Sequence, residues 1–184
     1  MNTEIIVINN FYNDFSAVRE MALGMNFNIE GNYPGLRTVP NFTQSAKDTI
    51  QKIIYPHAGK VTDWLDNNPG TYSGSFQLCF ETDITWIHAD IHNMWSGICY
   101  LFPKPPVQTG TGFYKHIETN QRYYIDNFHD GYDISAWQLT DYVENTYNKL
   151  ILFNGKLFHK ATGYFGNTKE TARLFQTFFF NTEY

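Results

Sequence analysis

The sequence predicts a mainly β protein with flanking helices, an α+β arrangement in which N-terminal helices pack on one sheet. Three observations carry this. Helical apolar periodicity occurs before residue 75 and not in the strand-like region that follows. From Ser75 onward the chain breaks into short apolar stretches separated by turn residues. The stretch Ala172 to Phe180 is apolar on both faces, as a strand buried on both sides should be.

The elements follow in order. Glu4 to Ile8 reads as a short strand. Asp14 to Leu23 has a capping residue ahead of an apolar helical pattern, with Gly24 to end it. Asn32-Tyr33-Pro34-Gly35 reads as a turn. Thr43 to Tyr55 is a second helix, with Ile50, Ile53 and Ile54 on one stripe and Pro56 closing it. Asn67-Asn68-Pro69-Gly70 is another turn. A strand is then expected over Asp83–Asp90. Leu150–Phe153 and Leu157–Ala161 are expected as a hairpin joined at Asn154-Gly155. Tyr164 to Glu170 is a surface loop before the last strand. A helical support region (1–74) and a strand-rich core (75–184) are expected to form one domain, since 184 residues suit one and there is no repeat or linker.

Four residues carry the chemistry: His88, Asp90, His159 and Arg173. Alternate residues of a strand point the same way, so Trp86, His88 and Asp90 share a face, as do Leu157, His159 and Ala161. Two histidines and a carboxylate on one side of an ion leave coordination positions open for substrate and oxygen on non-haem Fe(II). A His-x-Asp triplet is common by itself, and a lone histidine can equally be a satisfied core residue. Arg173 is harder to explain away. It lies on the doubly apolar strand, no acidic residue accompanies it there, and a buried guanidinium needs an anionic partner. A carboxylate-bearing ligand fits that need. His92 would share the face of His88 and Asp90 if the strand continued, as a ligand or, better, as a residue facing substrate.

These residues resemble the Fe(II)/2-oxoglutarate-dependent oxygenases, in the prolyl-hydroxylase-like branch, over about the last hundred residues. The similarity extends to small oxygenase-like proteins of phages and bacteria. His88-Ala89-Asp90 stands where the branch has its His-x-Asp. Gly97–Phe102 stands for the strand that follows, Gly110–Tyr114 for the Gly-rich turn into the next strand, and Tyr147–His159 for the segment delivering the distal histidine. The turn after Tyr100 is Pro-rich instead of Gly-Gly-Glu-Thr, and the stretch from His159 to Arg173 is longer than in many relatives. The resemblance implies a double-stranded β-helix (jelly roll) core. It implies Fe(II) held by His88, Asp90 and His159, and 2-oxoglutarate held by Arg173 with a hydrogen bond from Tyr100. O2 would be the co-reactant, and a C–H bond of an amino-acid, peptidyl or other small-molecule substrate would be hydroxylated.

The rest of the sequence sets limits. A formal net charge of −5 gives no electrostatic footprint for nucleic acid. Cys79 and Cys99, on separate expected strands, are too few for a disulfide framework. The first ten residues lack a basic region, and no run reaches the roughly 20 apolar residues of a membrane span. The expected setting is cytoplasmic, and no feature specifies an oligomeric state. Phe102 to Asn148 is expected either to pack on the mouth of the core or to close over substrate as a lid, through His116, Arg122, Tyr123, Tyr124, Phe128, His129, Tyr132 and Trp137. Two other functions remain open from residues alone: a cupin-like metal-binding protein or isomerase, and a non-catalytic protein that keeps an oxygenase shell.

Overall fold

The structure, a computed structural model, describes residues 3–66, 70, 72–126 and 129–183. The expected turn at Asn67 to Pro69, and Phe128, lie outside them. In chain order the elements are β1 (Ile5–Ile8), α1 (Phe15–Gly24), β2 (Ile29–Gly31), β3 (Tyr33–Arg37), α2 (Gln44–Ala58), β4 (Lys60–Asp63), β5 (Phe76–Cys79), β6 (Trp95–Tyr100), β7 (Thr111–His116), β8 (Trp137–Val143), β9 (Leu150–Asn154), β10 (His159–Ala161) and β11 (Arg173–Glu183). Most of the regular structure is β, with two α-helices among the described residues.

Eight strands form the main sheet, in the order β1-β9-β6-β11-β5-β3-β2, with β4 also paired to β11. A second sheet runs β10-β7-β8. All pairings are antiparallel. Strand alternation divides the main sheet's side chains between two apolar layers. Leu78, Cys99, Leu150, Leu152, Leu174 and Phe178 face a core shared with Ala22 of α1 and Ala46, Ile50 and Ile54 of α2. Their neighbours Cys79, Tyr100, Ile151, Phe153 and Phe175 pack instead with Phe113 of β7 and Leu157, between the sheets. Both helices therefore lie on the outer face of the main sheet, as the sequence predicts. Asp14 caps α1 by accepting from Ala17 N, and Thr43 caps α2 by accepting from Ala46 N. Cys79 and Cys99 are buried free thiols.

Four local expectations are corrected. Pro34-Gly35 lies inside β3, not in a turn. The register of β3 with β5 pairs Leu36 with Leu78 and Arg37 with Gln77, so the missing Pro34 N–H falls outside the paired stretch. Gly35 is required there: its φ is +70° and a Cβ would sit 1.9 Å from the Leu78 carbonyl oxygen. Pro56 does not close α2, which continues to Ala58 and ends at Gly59, φ 76°. Residues 83–87 and 89–90 form no regular strand; His88 alone makes a bridge, to His159. Finally, β9 and β10 are no hairpin. β9 is already flanked by β1 and β6, so it has no edge to offer. The chain turns at Asn154, where Leu157 N donates to Asn154 O at 3.0 Å, and crosses to the other sheet to pair with β7.

Candidate metal centre

Three side chains meet between the sheets. His88 comes from the bridged stretch, Asp90 lies two residues on, and His159 opens β10. Their ligand atoms all lie within 4.8 Å of one another. His159 Nε2 is 3.6 Å from Asp90 Oδ2, and His88 Nε2 is 4.0 Å from Asp90 Oδ1. Backbone bonds set the spacing: His88 and His159 bridge each other, and Asp90 N donates to Gly155 O at 2.7 Å. Gly155 permits this, since a Cβ would come within 2.5 Å of Asn93 O and 2.8 Å of Asp90 O. This is the crossing between the sheets, so the turn that carries the chain to His159 also ties down Asp90.

The surroundings prepare each donor. His88 Nδ1 lies 3.0 Å from Trp86 O, and His159 Nδ1 lies 2.8 Å from Leu157 O. A carbonyl accepts only from a protonated Nδ1, which leaves the lone pair of a neutral ring on Nε2, facing Asp90. Ser96 Oγ donates to Asp90 Oδ2 at 2.6 Å, and Asn93 Nδ2 donates to Ser96 Oγ at 2.8 Å. Burial pushes the Asp90 carboxyl up, but His159, His88, the Ser96 bond and Arg37 together hold it below the ordinary range. Burial, helped by His88 and opposed by Asp90, takes His159 down to about 4. An ionised carboxylate and a neutral imidazole are the protonation states a metal requires. Two such nitrogens and one oxygen, gathered on one side with a cavity opposite, fit a divalent transition metal with open positions.

A cleft leads inward from this cluster to Arg173, past Thr111, Phe153, Tyr164 and Phe175. The Arg173 side chain is 1% exposed. Its Nε donates to Thr109 O at 3.2 Å and its Nη2 to Gly110 O at 3.4 Å, with the Phe175 ring 4.6 Å away. Among the described residues no carboxylate pairs with it. The buried cation thus faces the same cleft as the metal-type cluster. Tyr100 is fully buried beside it, 5.5 Å from ring centre to guanidinium carbon, and its hydroxyl shares a 2.7 Å hydrogen bond with Thr111 Oγ1. Thr111 and not Tyr100 lines the cleft among the described residues. Burial, opposed by Arg173, raises the Tyr100 hydroxyl and keeps it protonated.

Outside the cluster lies a cavity of about 620 Å³, lined by Trp86, His88, Asp90, Tyr33, Pro34 and Arg37 among others. His92 borders it, but the chain turns at Ile91-His92 and His92 is not part of the ligand group. Phe102 to Asn148 contributes only Thr111 to the cleft and nothing to the outer cavity, among the described residues. It packs behind the ligands instead: Tyr132 stacks on Trp86 at 5.5 Å, and Ile87 N donates to Gly131 O at 3.0 Å. His116, His129, Trp137 and Phe158 form an aromatic cluster.

Sequence reasoning missed three participants. Tyr164, placed in a surface loop, turns inward and lines the cleft beside Arg173. Ser96 looks like any small residue on a strand until Asp90 is folded against it. Arg37 carries the signal that revealed Arg173, a lone cation in an apolar stretch, but the apparent Pro-Gly turn hid the strand.

At the level of sequence, no family model and no curated protein matches the chain. Solved structures do. HygX from Streptomyces hygroscopicus, determined with nickel, 2-oxoglutarate and hygromycin B, aligns at TM-score 0.64 and 9% identity, over 96% of this chain and 82% of that one. The carbocyclase SnoK of nogalamycin biosynthesis, described as non-haem and α-ketoglutarate dependent, aligns at 0.63 and 12%, over 99% and 80%. A prolyl hydroxylase from Trichoplax adhaerens, in complex with a hypoxia-inducible-factor peptide, aligns at 0.57 and 9%, over 96% and 83%. At these identities the likeness is one of fold, and the fold this chain shares is that of the Fe(II)/2-oxoglutarate-dependent oxygenases.

Proposed function

We propose that this chain is an Fe(II)- and 2-oxoglutarate-dependent dioxygenase that hydroxylates a C–H bond of an amino-acid, peptidyl or other small-molecule substrate. The observation that carries the proposal is the meeting of His88, Asp90 and His159 in one cleft with the buried Arg173. The two facing sheets are read as a double-stranded β-helix, and residues 1–184 as one domain.

In this reading, Nε2 of His88, Nε2 of His159 and the Asp90 carboxylate hold Fe(II). The bound metal and cosubstrate supply the oxidation, which consumes O2 and converts 2-oxoglutarate to succinate and carbon dioxide. The chain's own residues orient and protect. Arg173 pairs with the far carboxylate of 2-oxoglutarate in a charge-assisted contact, each such bond typically worth about 1.5–3 kcal/mol. Thr111 and Tyr164 stand along the same cleft, with Tyr100 supporting Thr111 from behind. Phe153 and Phe175 exclude water from the inner end. Substrate enters from the outer cavity, whose volume suits a small molecule or a side chain. Two proteins of the same fold were determined with hygromycin B and with a peptide, which supports both classes.

Arg173 favours this function over a cupin-like metal protein, which has no particular need for a buried guanidinium facing the cluster. The test is anaerobic titration with Fe(II) and then 2-oxoglutarate, followed by O2. A visible charge-transfer band that needs both, and succinate formation after oxygen, are expected. Iron binding without the band would leave only the metal-protein function.

A further inference from the structure

Arg37 reaches the site from β3 and lines both the inner cleft and the outer cavity, on the side where His88 and Asp90 open to solvent. It is 8% exposed. Its Nε donates to Gln77 Oε1 at 2.8 Å, and Gln77 Nε2 donates to Pro34 O at 2.6 Å. The Tyr33 ring lies 3.7 Å from the guanidinium carbon, and Phe179 flanks it at 5.6 Å. Ring stacking and the Gln77 bond together fix the plane of the fork. A fixed planar fork at a cavity wall is what two-point recognition of a carboxylate or phosphate demands. Bracing Asp90 calls for a positive charge but not for an opening onto two cavities. The outer wall near the triad presents Trp86, Ala89 and Ile91, with the polar His92 and Asn93 beside them.

We propose that the outer cavity takes a small anionic substrate whose carboxylate or phosphate group is held by Arg37, with its carbon skeleton laid against Trp86 and pointing at the His88–Asp90–His159 cluster. This rests on the oxygenase reading and adds the substrate class. Arg173 and Arg37 then divide the work: the deep guanidinium takes the cosubstrate and the shallower one takes the substrate. Glu30, exposed on β2, borders the same cavity and opposes an approaching anion from a distance.

The experiment is calorimetric titration of the full chain with N-acetylated amino acids, their primary amides, sugar monophosphates and the parent sugars. At least one anionic probe should bind wild type, and its uncharged counterpart should bind at least about tenfold more weakly. Arg37→Gln should lose that preference, and Arg37→Lys should recover part of it. Glu30→Gln, a change at an exposed position, should tighten anion binding about twofold. N-acetylated amino acids binding alone identify a carboxylate; sugar monophosphates alone identify a phosphate. The proposal falls if no anionic probe binds wild type, if amides bind as well as acids, or if Arg37→Gln and Glu30→Gln leave affinity unchanged. The Fe(II)–2-oxoglutarate band on the same protein separates the two claims. A missing band with Arg37-dependent anion binding refutes only the oxygenase function, and a normal band without Arg37 dependence refutes only the substrate class.

Discussion

His88 and His159 exchange both backbone hydrogen bonds, N to O at 3.0 Å one way and 2.8 Å the other, and their imidazole centres lie 4.5 Å apart. Main-chain pairing thus aligns the two rings, and the side chains are left to bind. Replacing a ring should spare the bridge. His88→Ala and Asp90→Ala are therefore expected to fold while losing stoichiometric Fe(II), measured as metal retained after gel filtration beside a circular dichroism spectrum. Full retention of iron in either variant would refute the ligand assignment.

Ser96→Ala removes the hydroxyl that donates to Asp90 Oδ2. That bond favours the ionised carboxylate, so its loss raises the Asp90 pKa and lets protons compete better with metal. Fe(II) affinity should fall roughly 10- to 100-fold, as outer hydrogen-bond partners of metal ligands generally require. The midpoint of metal binding should also move to higher pH. An unshifted midpoint in a pH series of titrations would mean the hydroxyl is only packing.

The metal-free protein should weaken in acid. His159 is pushed from 6.5 down to about 4 by burial and by His88. Between those values the unfolded chain binds a proton that the fold refuses, so stability rises with pH across the window and is lost as pH falls through it. Asp90, held low, adds a loss of the same sign further down, below its ordinary 3.8. Urea midpoints measured between pH 7 and 4 should fall for the wild type and fall less for His159→Gln (a neutral residue at every pH). Equal slopes would contradict this.

Arg173→Lys keeps a charge but loses the fork held by Thr109 and Gly110. The 2-oxoglutarate concentration needed for half-maximal turnover should rise tenfold or more, with Fe(II) affinity nearly unchanged. Parallel losses of both would place the defect in folding and not in cosubstrate binding.

Local pattern made much of this molecule legible. The caps at Asp14 and Thr43, the short apolar run of β1 and the two-faced apolarity of β11 depend on near neighbours, so the sequence displays them directly. The residues of the candidate cluster stood out for the same reason, since His88 and Asp90 are close in sequence and a lone His159 or Arg173 is conspicuous on an apolar background. What escaped depends on partners far along the chain. Asn154-Gly155 has the composition of a hairpin turn, yet whether β9 and β10 pair is decided by β1 and β6, which already occupy both edges of β9. The strand expected over 83–90 shrinks to one bridge because only His88 finds a partner in β10. Arg37 was overlooked because the pairing of β3 with β5 overrides the turn preference of Pro34-Gly35.

The position of β11 has a consequence for how the molecule is made. It lies between β5 and β6 and also pairs β4, yet all three precede it in the chain. A ribosome therefore delivers those partners with their inner edges bare, and they must wait, exposed to mispairing, until this segment emerges. Arg173 arrives with it, so sheet closure and completion of the inner cleft become a single late event during biosynthesis.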